Sequence, residues 1–264
     1  VAETKKTAPV QSLQRGLQVL MAVAEARGAI GLTELVRRTG LERSCVFRLV
    51  NTLAQQGFLN QSTQTRHYAL GPTVWQLAGH MRQSSDLLTF ARPHIRNLAH
   101  TTGETAHLSV RQGDRAISLE HQTSDQLLGV SGSTGRSEPL HCSAVGKALI
   151  GDFTLERITE LLDGSLVART PRTITTVGAL FEECQRVLAQ GYALDDEEYA
   201  RGVRCLAAPV RDMHGDIVAA IGVSAPVDRL PRNEINKIAE QVRATADTLS
   251  KQLGYLPPSA HRTA

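Results

Sequence analysis

Five residues between Arg43 and Asn51 have side chains suited to reading nucleic acid, and they recur at helical spacing: Arg43, Ser44, Phe47, Arg48 and Asn51. An arginine can pair bidentately with guanine, and an asparagine with adenine. A serine near a helix start can meet a phosphate together with free backbone N–H groups. The opposite face, Val46, Leu49, Val50 and Leu53, is apolar, as a helix packed on its own domain requires. Arg66, in a later hairpin, is expected to reach a phosphate backbone or a minor groove.

A second set of residues suggests other chemistry. Cys45, Cys142, Cys184 and Cys205 form no Cys-x-x-Cys pair, so small buried thiols in a reducing cytoplasm are expected rather than a disulfide framework. Cys142 or Cys205 with His141 or His107 keeps two alternatives open, a cysteine-nucleophile hydrolase and a cysteine-based redox regulator. The cysteines and histidines show no standard metal-ligand spacing, and no cofactor is called for. Ser143 to Lys147 reads as a helix start suited to a carboxylate. It is not a P-loop, because His141 stands where that motif needs glycine. Asp195 reads as a turn cap or a ligand contact, Lys147 as structural or surface, and Glu197 with Glu198 as a solvated acidic face.

These residues need elements to hold them. Leu13, Leu17, Leu20, Met21 and Ala24 have helical spacing, ended by Gly28. Thr33 opens a second, short helix that Gly40 stops, and a third runs from about Arg43 to before Gly57. Phe58-Leu59 and His67 to Leu70 flank a polar turn, a hairpin. Three helices and a hairpin, with a glycine turn between the second and third, describe a winged helix-turn-helix over 11–72. Val74, Leu77 and Met81 give a linker helix over 73–88 an apolar stripe for a partner copy.

The remainder, 89–256, reads as α+β: a helix from Pro93 to Thr102, a hairpin over Thr105–Val110 and Ala116–His121, and a strand at Leu127–Val130. Helices over His141–Gly151, Leu155–Leu162 and Leu180–Gln190 follow. Strands Val203–Arg211 and Ile217–Ser224 and a closing helix Arg232–Leu253 complete a mixed sheet flanked by helices. Residues 1–10 are expected to be a disordered arm and 257–264 a disordered tail.

The chain has 264 residues, 41% hydrophobic and 21% charged, enough for two domains with real cores. The longest apolar run, Ile217 to Val223, is far short of the roughly 20 residues a membrane helix needs. Residues 1–72 carry nine Lys/Arg and four Asp/Glu, whereas the rest carries 20 and 22. The basic excess therefore belongs to the first domain, pointing to a nucleic-acid partner there alone.

Ser12 to Leu20, Leu32-Thr-Glu-Leu35 and Ser44 to Val50 resemble the winged helix of the IclR family of bacterial transcription regulators. Pro139 to Leu149, Gly191 to Val210, Gly215 and Ala219 to Ser224 are similar to the family's GAF-like effector-binding domain. The resemblance implies a cytoplasmic, ligand-responsive regulator of a catabolic operon. Its partners would be double-stranded operator DNA, a small organic acid or aromatic effector, and further copies of itself in a homodimer or dimer of dimers, with no membrane. It implies effector contacts at Leu128, Ser131, Ala144, Val145, Asp195, Cys205, Gly222 and Ser224. Family members often have serine where this chain has Gly222, which implies an effector bulkier or less polar than a small keto acid.

Overall fold

The structure, a computed structural model, describes residues 10–26, 28–83, 86–127, 129–162 and 166–256. The expected tail, and all of the expected arm but Val10, lie outside these residues. The chain divides into two compact units at Ser85/Asp86.

The first unit holds α1 (Gln11–Glu25), α2 (Leu32–Thr39), α3 (Arg43–Gln55), β1 (Leu59–Gln61), β2 (Tyr68–Leu70) and α4 (Pro72–Gln83). Its core is Val19, Val23, Ile30, Leu35, Val46, Val50, Leu59 and Tyr68. Gly40 ends α2 in the left-handed region, φ +65°, with its N–H bonded to Val36 O. A side chain there would be strained, and the sharp reversal into α3 depends on that freedom. The α1 stripe seen in the sequence is not what α1 buries. Leu13, Leu17 and Met21 are more than half exposed, and the buried contacts are Val19, Ala22 and Val23.

The second unit begins with α5 (Asp86–Thr102), then β3 (Thr105–Gln112), β4 (Arg115–Gln122) and β5 (Ser137–Pro139). Next come α6 (Ala144–Leu149), α7 (Leu155–Leu162), α8 (Val177–Gln190), β6 (Ala193–Asp196), β7 (Val203–Arg211), β8 (Ile217–Pro226) and α9 (Ile235–Gln252). The six strands run in the order β5-β4-β3-β8-β7-β6, and every described pairing is antiparallel.

Alternation along the strands builds two cores. Ala106, Leu108, Leu206, Ala208, Val210, Ala219, Ile221 and Val223 pack with α5 and α9. Ala207 and Ala220, of opposite parity, pack with α6, α7 and α8.

Two expectations are corrected here. The helix expected from Pro93 starts at Asp86, with Pro93 inside it. Leu88, Ala91, Ile95 and Leu98 are fully buried along one face, and that packing outweighs the hydrogen bond a proline removes. No strand forms at Leu127–Val130, where the described residues are irregular and Leu128 is not among them.

Candidate functional site

The first unit presents one outward face. On α3, Arg43, Ser44, Phe47 and Arg48 are exposed and Asn51 is half-buried, while Val46 and Val50 are fully buried. Arg43, Phe47, Asn51 and Arg66 line one open groove of about 960 Å3, walled by the start of α2 and the β1–β2 hairpin. Arg43 Nη1 donates to Thr33 Oγ1 at 3.2 Å, and Ser44 Oγ to Glu42 Oε2 at 2.5 Å.

Arg66 sits at the hairpin turn with φ +59°, rare for a side chain with a Cβ. The Gln61 side chain holds the Arg66 carbonyl at 3.1 Å. Arg37 and Arg38 of α2 are committed elsewhere, both bonded to Glu34, and they pull its carboxyl down to about 2. Among the described residues, Arg43, Arg48 and Arg66 have no such carboxylate partner, so the uncommitted cations of this face lie on α3 and the hairpin.

The second unit encloses a cavity of about 60 Å3 on the sheet face opposite α5 and α9. Strand parity explains its lining. Ala106 and Leu108 of β3 face the apolar core, so Thr105, His107 and Ser109 face the cavity. Likewise Cys205 of β7 and Ser224 of β8 pair directly across the ladder and face it. Ser224 Oγ lies 2.9 Å from His107 Nε2 and 3.1 Å from Cys205 Sγ.

Arg136 closes another side, its guanidinium 3.1 Å from Glu138 and from the Ser131 carbonyl. Burial, then the Arg136 charge, pushes His107 down to about 4, so the ring is neutral at pH 7. Burial also carries the Cys205 thiol well above its ordinary range and Cys142 to about 12. Such thiols stay protonated, the opposite of what a nucleophilic cysteine needs.

Asp195 does two jobs. Its Oδ1 accepts from Glu198 N at 2.7 Å and Tyr199 N at 3.2 Å, capping the turn after β6, and the residue also lines the cavity. Burial, then the Glu198 charge, raises its carboxyl to about 7.

Glu198 is no solvated acid, which corrects the reading from sequence. It takes a 2.5 Å bond from Lys147 Nζ, and Lys147 is fully buried, also bonded to Leu194 O at 2.5 Å and 3.6 Å from Glu183. Burial raises the Glu198 carboxyl. Thr170 and Thr173 hydroxyls hold the Glu197 and Glu198 carbonyls at 2.7 Å.

Of the effector positions read from the sequence, Ser131, Asp195, Cys205 and Ser224 come together at the cavity. Ala144 and Val145 are buried in the α6–α8 core and do not line it. The helix start they belong to is capped from within, Ser143 Oγ accepting from Gly146 N at 3.1 Å. Gly222 is also away from the cavity lining. A Cβ there would lie 2.3 Å from Leu206 O, so the backbone leaves no room for a serine. Leu128 lies outside the described residues.

Sequence reasoning missed Thr105, Ser109, Ser118, Arg136, Glu138 and Tyr199 as lining residues. The polar parity of Thr105-Ala-His-Leu-Ser-Val110 was a usable signal. Among the described residues, no three His, Cys, Asp or Glu side chains gather as metal ligands. No helix among them is long and apolar enough to cross a membrane.

Comparison with known proteins agrees with this geometry. Residues 12–63 match the family model described as the IclR helix-turn-helix domain, and residues 79–251 match that of the bacterial transcriptional regulator IclR C-terminal. The chain is 35% identical to the transcriptional repressor IclR of Escherichia coli over 257 residues, 96% of this chain and 94% of that one. It is 33% identical to the regulator BhcR of Paracoccus denitrificans, covering 91% of this chain and 86% of that one. Among solved structures, an IclR-type regulator from Silicibacter superposes with a TM-score of 0.83 at 30% identity, covering 94% of this chain and 98% of that one. The relatives are named as regulators and repressors, not enzymes. The helix-turn-helix match implies DNA binding, and the chain belongs to the IclR family of bacterial transcription regulators.

Proposed function

We propose that the protein is a ligand-responsive regulator of a catabolic operon, working in the cytoplasm, with a small organic acid as effector. The observation that carries this reading is the cavity lined by Asp195, Ser131, Cys205 and Ser224, with Arg136 as its cation. One water needs roughly 10–15 Å3 of such space. A cavity of about 60 Å3 therefore suits a ligand of a few heavy atoms better than an aromatic one, against the bulkier effector expected from Gly222, which does not line it. Arg136 supplies charge for a carboxylate, and Ser224 and neutral His107 supply hydrogen bonds for a carbonyl or hydroxyl.

Asp195 gives the reading a pH signature. Below its value of about 7 the carboxyl is protonated and can donate to the ligand; above it, the carboxylate repels an anion. Affinity for an anionic effector should therefore fall as pH rises from 6 to 8. The test is calorimetry with the acid that gives the largest thermal shift in a panel of two- to six-carbon carboxylic acids. Asp195→Asn should bind it with little change over that range. Equal affinity of the native chain at pH 6 and pH 8 would count against the assignment.

Homodimer or dimer-of-dimers assembly is part of the same proposal. Val10, Leu13, Leu17 and Met21 leave an apolar seam on α1, and Trp75 of α4 is 81% exposed. The spacing of Val10, Leu13 and Leu17 is that of a coiled-coil seam, which a second copy would cover. Leu17→Glu should roughly halve the mass found by light scattering at micromolar concentration. An unchanged mass would place the interface elsewhere.

A further inference from the structure

We propose that Phe47 is a specificity residue that reads the C5-methyl group of a thymine in the operator. This rests on the DNA-binding role of α3 and adds a base identity to it. Phe47 is 50% exposed on a helix face that is otherwise polar and cationic. It lines the same groove as Arg43 and Asn51, one turn before and one turn after it. The three therefore form one ridge along α3, with successive residues about 6 Å apart.

A phenyl ring has no donor or acceptor for a base edge. In the major groove the apolar feature a ring can cover is the thymine methyl. Facing a cytosine or a purine, the ring would strip water from polar edge atoms without replacing their hydrogen bonds. Arg43 and Asn51 can pair with guanine and adenine on either side. At about 3.4 Å per base step, the 6 Å spacing sets the thymine roughly two steps from each of those bases.

The test starts from duplexes enriched by the full-length protein from a random pool. Each thymine of the consensus is then replaced by uracil, which removes the methyl group and changes no base-edge hydrogen bond. Binding is measured at low salt for the native chain and for Phe47→Ala, whose fold is checked by circular dichroism. For the native chain, a single uracil in one half-site should weaken binding roughly 3- to 10-fold, the scale of one buried methyl group with its contacts. Phe47→Ala should bind the thymine and uracil forms of that position equally, while Phe47→Leu keeps part of the preference. The same thymine-to-uracil ratio for native chain and Phe47→Ala at every position would overturn the proposal. Failure to enrich any sequence would instead overturn the DNA-reading role of α3, and this inference with it.

Discussion

Replacing Lys147 by methionine should destabilise the second unit by about 3–5 kcal/mol, the usual cost of removing one partner from a buried ion pair. Lys147 is fully buried and is the cation at the meeting point of Glu198, Glu183 and the Leu194 carbonyl. Methionine fills much of the same volume but leaves Glu198, whose Oε2 already has no hydrogen-bond partner, beside Glu183 and Asp195. The loss should depend on pH in a definite direction. Without the ammonium, the folded-state value of Glu198 rises further above its unfolded one, so the folded form holds a proton more tightly than the unfolded form. The variant's deficit is then smallest at pH 5 and grows as pH rises towards 8. The double variant Lys147→Met, Glu198→Gln should recover part of the loss. Urea unfolding of the full chain at pH 5, 7 and 8 measures all of this. A deficit under about 1 kcal/mol at pH 7 would mean the cluster is not the anchor of the Asp195 turn.

Arg48→Ala should weaken operator binding by roughly 1–3 kcal/mol per half-site, about 5- to 150-fold. Arg48 is exposed on α3 next to the ridge of Arg43, Phe47 and Asn51, and its carbonyl is held from behind by Thr52 Oγ1 at 3.0 Å. If its guanidinium pairs with a guanine, the variant should lose preference at one base position and keep it elsewhere. If it meets a phosphate, all sequences should weaken alike and the salt dependence should become shallower by about one counterion. Titrations at several salt concentrations separate the two. Native affinity for Arg48→Ala in every condition would remove this residue from the interface.

Much of this organisation could be read from the residues. The α2–α3 reversal shows as Gly40 between two apolar periods, and the order of helices and hairpin fixed which face of α3 points outward. The hairpin β7–β8 shows as two long apolar runs around Met213 to Asp216. What escaped depended on contacts that local pattern does not carry. Pro93 looked like a start because prolines favour first turns, yet the buried row Leu88, Ala91, Ile95 and Leu98 carries the helix through it. Strands β5 and β6 are three and four residues long at opposite edges of the sheet, too short to show alternation. Glu198 looked solvated because its partner, Lys147, lies 51 residues away. The cavity was half legible: Asp195, Cys205 and Ser224 followed from resemblance, whereas Arg136 and Glu138 sit in a segment with no periodicity to read.

Occupancy of the second unit's cavity should change the affinity of the first unit for DNA. Such coupling between two sites is commonly worth about 1–3 kcal/mol, 5- to 150-fold in affinity. The direct measurement is fluorescence anisotropy of an enriched operator duplex, titrated with protein in the presence and absence of the carboxylic acid that most raises the melting temperature. Asp195→Asn and Ser224→Val are measured alongside. The acid should change the native chain's operator affinity at least 5-fold. Both variants should bind the operator normally without acid, with the acid's effect lost or moved to much higher concentration. An acid that stabilises the native chain yet leaves operator affinity unchanged, or that acts equally on both variants, would contradict this coupling.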